Sequence, residues 1–170
     1  MAATSFVPIQ VYLTSSFEPD ADYVDGEIEE RAMGENDHSA WQAAIVAWFR
    51  QQAKDGQIRV RPELRVQVSA TRFRVPDVAL IDRNLPQDPI AVHPPVAVLE
   101  ILSPEDTLRK VMTRCADYEH MGIQTILVID PQGPKYHYQA GRLEPLESRA
   151  FDIPGSRSRF DLDEIEKLID

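Results

Sequence analysis

The stretch Pro95-Val96-Ala97-Val98-Leu99-Glu100-Ile101-Leu102 is apolar at almost every position, the mark of a strand buried on both faces. Ser103-Pro104-Glu105-Asp106 follows and reads as a helix start, with Ser as N-cap, Pro in the first turn and an acid three residues on. Leu108, Val111, Met112 and Cys115 then recur at helical spacing, Tyr118 and Met121 continue that face, and Gly122 stops it. Thr125-Ile126-Leu127-Val128-Ile129, closed by Asp130-Pro131, is a second buried strand. Strand, helix, strand in this order predicts a βαβ crossover with parallel strands.

Moving outward, Asn84 to Pro95 holds four prolines and reads as a loop. Before it, Gln57 to Val60, Leu64 to Ala70 and Phe73 to Ile81 read as strands. Trp41, Ala44, Ile45, Trp48 and Phe49 predict a helix from Asp37 or Ser39 to Lys54, stopped near Gly56. Asp25-Gly26 is the signature of a two-residue hairpin, so one strand should end near Val24 and another begin at Glu27. Val7 to Leu13 alternates weakly and reads as a strand. On the other side, Tyr136–Gln139 and Leu143–Leu146 predict a hairpin turning at Ala140-Gly141, and residues 161–169 a short terminal helix capped by Asp161 and Glu164. The reading is α/β with a mixed β-sheet and an N-terminal β-hairpin, in a single domain over 1–170.

The chain has 170 residues, and its 43% hydrophobic and 27% charged residues exclude a disordered or fibrous protein. A single cysteine, Cys115, excludes an internal disulfide framework and a Cys-rich zinc site. No apolar run approaches the ~20 residues of a membrane helix, and Met1 to Leu13 has no signal-peptide pattern, so a cytoplasmic protein is the default expectation. The seven glycines form no phosphate loop, the four histidines show no ligand spacing, and no serine lies in a nucleophile elbow.

The net charge of −10 argues at first against a polyanion partner, but it is unevenly spread. Residues 18–37 hold nine acids against Arg31 alone, whereas residues 50–142 hold thirteen bases against eleven acids. Arg59, Arg61, Arg65, Arg72 and Arg74 precede Asp77, and Arg61 and Arg65 are candidates to line a cleft rim and contact phosphates. The alternative is exposed strand residues that balance the acidic hairpin.

Two carboxylates stand out. Glu100 interrupts a buried strand, where an ionised group is costly unless paired or metal-bound, and Asp77 interrupts Val75-Pro76-Asp77-Val78-Ala79-Leu80 in the same way. Acids on neighbouring buried strands can converge on a hard divalent cation, which polarises a phosphoryl oxygen and activates water. The alternative is a structural acid paired with an arginine.

Pro76-Asp77, then Glu100-Ile101-Leu102-Ser103-Pro104, Tyr118, Gly122-Ile123 and Val128-Ile129-Asp130-Pro131 resemble the Uma-two type of endonuclease, within the PD-(D/E)XK restriction-endonuclease-like superfamily. Asp25-Gly26-Glu27 and His38 also fit its N-terminal pattern, and the similarity covers residues 20 to 140. The resemblance implies a restriction-endonuclease-like sheet flanked by helices. It also implies Asp77 and Glu100 as metal-binding acids, with the carbonyl of Ile101 as a further ligand, for one or two Mg²⁺ or Mn²⁺ ions. The superfamily's lysine two residues after the glutamate is Leu102 here; the Uma-two pattern places it on the following helix, where this chain has Arg114 four residues before Tyr118. Lys110 lies one turn earlier on the same face. Glu27 and His38 are accessory candidates, against surface-hairpin and helix-cap roles, and Tyr118 is either a site-lining or a core residue.

Three readings follow. One is a Mg²⁺-dependent endonuclease hydrolysing DNA phosphodiester bonds, with Arg114 or Lys110 stabilising charge. The alternative is a catalytically weakened nuclease-like module that binds DNA or protein. A third is a metal-free protein whose acidic hairpin mediates homodimer formation.

Overall fold

In the computed structural model, which describes residues 5–170, the chain begins with helix α1 (Ile9–Leu13) and the hairpin β1 (Asp22–Val24) and β2 (Glu27–Glu29). Helix α2 (Asn36–Gln52) leads to β3 (Ile58–Pro62), β4 (Val66–Ser69), β5 (Arg72–Arg74) and β6 (Val78–Asp82). The crossover unit is β7 (Ala97–Ile101), α3 (Leu108–Met121) and β8 (Thr125–Ile129). A second hairpin, β9 (Lys135–Gln139) and β10 (Arg142–Pro145), precedes the small pair β11 (Ala150–Asp152) and β12 (Arg159–Asp161), and α4 (Leu162–Glu166) follows.

Six strands form the central sheet in the order β10-β9-β8-β7-β6-β3. Only β7 and β8 run parallel, as the crossover predicts; every other pair is antiparallel, so the sheet is mixed. Four strands make a second sheet, β2-β1-β5-β4.

Side chains alternate across the pleat and send two cores to opposite faces. Val78, Leu80, Ala97, Leu99, Ile101, Leu127 and Ile129 pack with Trp41, Ala44, Ile45 and Phe49 of α2 and with Leu162 and Ile165 of α4. Ala79, Ile81, Val98, Ile126 and Val128 pack with Val111, Cys115 and Tyr118 of α3 and with Val66 and Val68 of β4. Glu100 falls in the second register, among residues that otherwise bury only apolar surface. A third cluster, Tyr12, Tyr23 and Phe73, joins α1 to the hairpin sheet.

Local chemistry explains several boundaries. Asp25 and Gly26 both take positive φ, +50° and +97°, the pair that a two-residue hairpin of this twist requires. Gly122 is left-handed at φ +101° and closes α3, its N–H bonding to the carbonyl of Glu119.

Three expectations need correction. Residues 9–13 are a helical turn and not a strand, because Pro8 starts the turn and the carbonyl of Pro8 accepts from the N–H groups of Val11 and Tyr12. The run Phe73 to Ile81 is two strands, split at Val75-Pro76-Asp77, where proline has no N–H for a ladder. Ser103-Pro104-Glu105-Asp106 is a turn: Asp106 Oδ2 accepts from both N–H and Oγ of Ser103, and α3 starts later with Thr107 as N-cap. The β11–β12 pair has no counterpart in the sequence reading.

Candidate functional site

Pairing of Val78 with Leu99 in the antiparallel β6–β7 ladder brings the residues just beyond, Asp77 and Glu100, side by side. Both are buried. Asp77 Oδ2 accepts from the N–H of Ile101 at 2.7 Å, and Glu100 Oε1 accepts from the Tyr118 hydroxyl at 2.6 Å. Each carboxylate is thus fixed by one oxygen. The other oxygens, Asp77 Oδ1 and Glu100 Oε2, face a polar cleft of about 270 Å³ whose lining includes Arg31, His38, Lys110 and Arg114.

Cations surround the pair. Arg31 Nη2 lies 2.6 Å from Asp77 Oδ1 and 3.9 Å from Glu100 Oε2. His38, in the first turn of α2, places Nε2 3.2 Å from Asp77 Oδ1. Arg114 Nε lies 3.5 Å from Glu100 Oε2, while its Nη2 is held by Asp106 at 3.1 Å. Gln42 donates to the Asp77 carbonyl at 2.9 Å and so ties α2 to the same corner.

The two carboxylates titrate apart. Burial pushes Glu100 up to about 7, opposed by Arg114 and reinforced by the neighbouring Asp77 charge. Burial also works against ionised Asp77, but Arg31, His38 and the Ile101 N–H outweigh it and hold that carboxyl low. The Asp77 hydrogen bond raises the pKa of His38 against the opposing effect of its burial.

A divalent cation fits this donor set. Glu100 Oε2 is buried without a hydrogen-bond partner, 3.5 Å from Arg114 Nε, an acceptor that an ion or a water would satisfy. Among the described residues no group of three or more His, Cys, Asp or Glu side chains converges, so of those side chains only the two carboxylates would be there to hold it.

Of the residues singled out in the sequence, Asp77, Glu100, Ile101, His38, Lys110, Arg114 and Tyr118 converge here. Glu27 does not: it is exposed on β2 and outside the cleft lining. His38 turns to Asp77, and no side-chain hydrogen bond caps α2. Sequence reasoning missed Arg31 as a site residue; its signal was its position as the lone base among nine acids over 18–37. Asp106, the acid three residues after Ser103 in the expected helix start, also anchors Arg114.

None of the arginines from Arg59 to Arg74 is among the residues lining the cleft, and each has partners of its own. Arg74 is buried, with Nη1 3.0 Å from Asp22 and 2.8 Å from Glu29 and Nε 2.7 Å from Asp117. Arg65 pairs with Asp20 at 2.6 Å and stacks over Tyr12, and Arg72 pairs with Asp25 and Asp117. Arg59 donates to the carbonyls of Arg83, Leu85 and Pro86, and Arg61 to that of Val60 and to Gln87. Cys115 is buried in the α3 core, and burial raises its thiol pKa. Among the described residues, no helix is long and apolar enough to cross a membrane.

Against known proteins, the chain matches no curated sequence. It superposes on the crystal structure of a nuclease, described as putative and belonging to DUF820, from Anabaena variabilis. The TM-score is 0.79 at 21% identity, over 96% of this chain and 99% of that one, a likeness of fold. A DrdV–DNA complex solved by cryo-electron microscopy aligns loosely, with a TM-score of 0.41 and 16% identity, over 76% of this chain and 11% of that one. A sequence profile, Uma2, described as "putative restriction endonuclease", matches residues 10–148. With residues 10–148 of the 170 matched, the chain belongs to the Uma2 family, described as "putative restriction endonuclease".

Proposed function

We propose that this chain is a metal-dependent endonuclease that hydrolyses DNA phosphodiester bonds in the cleft between β6, β7 and α3. The observation that carries the reading is the pair Asp77 and Glu100, buried side by side, with Glu100 Oε2 lacking a hydrogen-bond partner. Asp77, Glu100 and the carbonyl of Ile101 would hold one or two Mg²⁺ or Mn²⁺ ions. When bound, such an ion neutralises phosphoryl charge and makes water a stronger nucleophile.

The chain's own groups have separable roles. Tyr118 and the Ile101 N–H fix the rotamers of Glu100 and Asp77, so that the other oxygens meet the cations of the cleft, Arg31, His38 and Arg114. Arg114, braced by Asp106, presents a permanent cation to the extra negative charge that develops on phosphorus-bound oxygens. Lys110 is exposed at the cleft rim, where it meets the incoming backbone as a point charge. A guanidinium does not give up its proton, so Arg114 is no base. His38 is biased toward its charged form by Asp77 and is a donor in this arrangement.

One observation favours a second reading, a weakened nuclease-like module that binds DNA or protein without cutting. Arg114 stands where the family pattern has lysine, and its Nε is buried without a hydrogen-bond partner. Incubation of plasmid DNA with Mg²⁺ or Mn²⁺ separates the two. The endonuclease reading predicts nicking by the wild type that Glu100→Gln abolishes. Salt-dependent binding with no nicking by either protein supports the module.

A further inference from the structure

Arg31 is the site residue whose role remains unassigned. Asp77 and Glu100 each commit one oxygen to a fixed donor, Ile101 N–H and Tyr118 OH. One nitrogen is near both remaining oxygens, Arg31 Nη2 at 2.6 Å from Asp77 Oδ1 and 3.9 Å from Glu100 Oε2, while His38 Nε2 lies 3.2 Å from the first and Arg114 Nε 3.5 Å from the second. Arg31 is thus a monovalent cation at the two atoms that a divalent cation would need.

The other cations there are held differently. Arg114 rides on α3 and is braced by Asp106, and His38 sits in the first turn of α2. Arg31 stands in the segment 30–35, which joins β2 to α2 without helix or strand. Among the described residues, its salt-bridge partners are Asp77 and Glu100 alone. Nothing else among those contacts ties the guanidinium down once the carboxylates are taken.

We propose that Arg31 is the resident counter-cation of the metal-free site, and that a divalent cation binds Asp77 and Glu100 by displacing its guanidinium. The proposal rests on the metal-site reading above and adds its competitor. Two positive groups drawn to the same two oxygens in a buried site repel strongly. Docking of Arg31 and binding of the ion are therefore negatively coupled, and by equal factors in each direction. The displaced guanidinium stays tethered beside Lys110 and Arg114. Ion entry thus turns a pair of balanced carboxylates into a cleft with excess positive charge, which suits an anionic backbone.

The test is calorimetric titration of Mn²⁺ into wild type, Arg31→Gln and Glu100→Gln, each first confirmed as folded by circular dichroism. Removing the competitor should tighten Mn²⁺ binding about tenfold, within the usual range of coupling between two sites, while Glu100→Gln should lose it. A merely structural arginine would give the opposite sign, because loosening the site weakens an ion's hold. Equal or weaker binding in Arg31→Gln overturns the displacement and leaves the metal site standing. No Glu100-dependent heat in either protein overturns both. A second measurement needs no variant to fold. The side-chain Nε–H resonance of Arg31 in ¹⁵N-labelled wild type should move and lose exchange protection as Mg²⁺ is added. A resonance unmoved at saturating Mg²⁺ contradicts the proposal.

Discussion

The Tyr118 hydroxyl donates to Oε1 of Glu100 at 2.6 Å, so a helix side chain fixes the buried strand carboxylate and leaves Oε2 without a hydrogen-bond partner. The bond favours the ionised form of Glu100. Tyr118→Phe should therefore raise the Glu100 pKa, weaken Mn²⁺ binding at pH 7 about tenfold and cost about 1–2 kcal/mol of stability. Calorimetry and urea denaturation measure the two effects. Unchanged metal affinity would remove Tyr118 from the site's working parts.

Metal affinity should depend on pH through Glu100. Its pKa of about 7 means that a cation competes with a proton below neutrality, whereas Asp77 is held low and stays ionised. The apparent Kd for Mn²⁺ should rise about tenfold per unit as pH falls below 7 and level off above it. A flat profile between pH 5.5 and 8 would contradict this assignment of the raised pKa.

Stability should respond to the same group with the opposite preference. Glu100 binds its proton more tightly in the folded than in the unfolded chain, so it disfavours folding increasingly as pH rises from about 4.5 to about 7. Glu100→Gln keeps an acceptor for Tyr118 and removes the buried charge. At pH 8 without metal it should be more stable than wild type by about 3 kcal/mol, with the gain vanishing near pH 4.5. Denaturant midpoints at the two pH values check this. A more stable, inactive variant is the signature of a charge retained for function.

Arg114 is testable by size and by charge. Arg114→Ala should lower cleavage about 100-fold if the guanidinium stabilises transition-state charge. Arg114→Lys, the residue type that the resemblance implies at this place, should cut faster than wild type. Cleavage kinetics on supercoiled plasmid report both, and a lysine variant no better than alanine would show that the place has lost its catalytic role.

The sheet and its crossover were legible because β7 and β8 are continuous apolar runs joined by a helix with a clear glycine stop. Asp77 and Glu100 were legible for the same reason, as charges placed where burial forbids them unless they are used. Arg31 was not, since its role depends on the segment 30–35 folding back over strands distant in sequence. Nor could the arginines before Asp77 be sorted, because strand alternation shows which side a residue faces and not which acids meet it. Arg65 shows the cost of that gap: it reads as a candidate phosphate contact, and its guanidinium pairs with Asp20 and stacks over Tyr12. The turn at Ser103–Asp106 reads as a helix start because the same capping chemistry serves both.

The most direct test of the account is the anomalous difference map of a crystal grown with Mn²⁺. The account predicts a peak between Asp77 Oδ1 and Glu100 Oε2, with the Arg31 guanidinium turned away from both. No peak in this cleft at saturating Mn²⁺, with Arg31 still on Asp77, would contradict it.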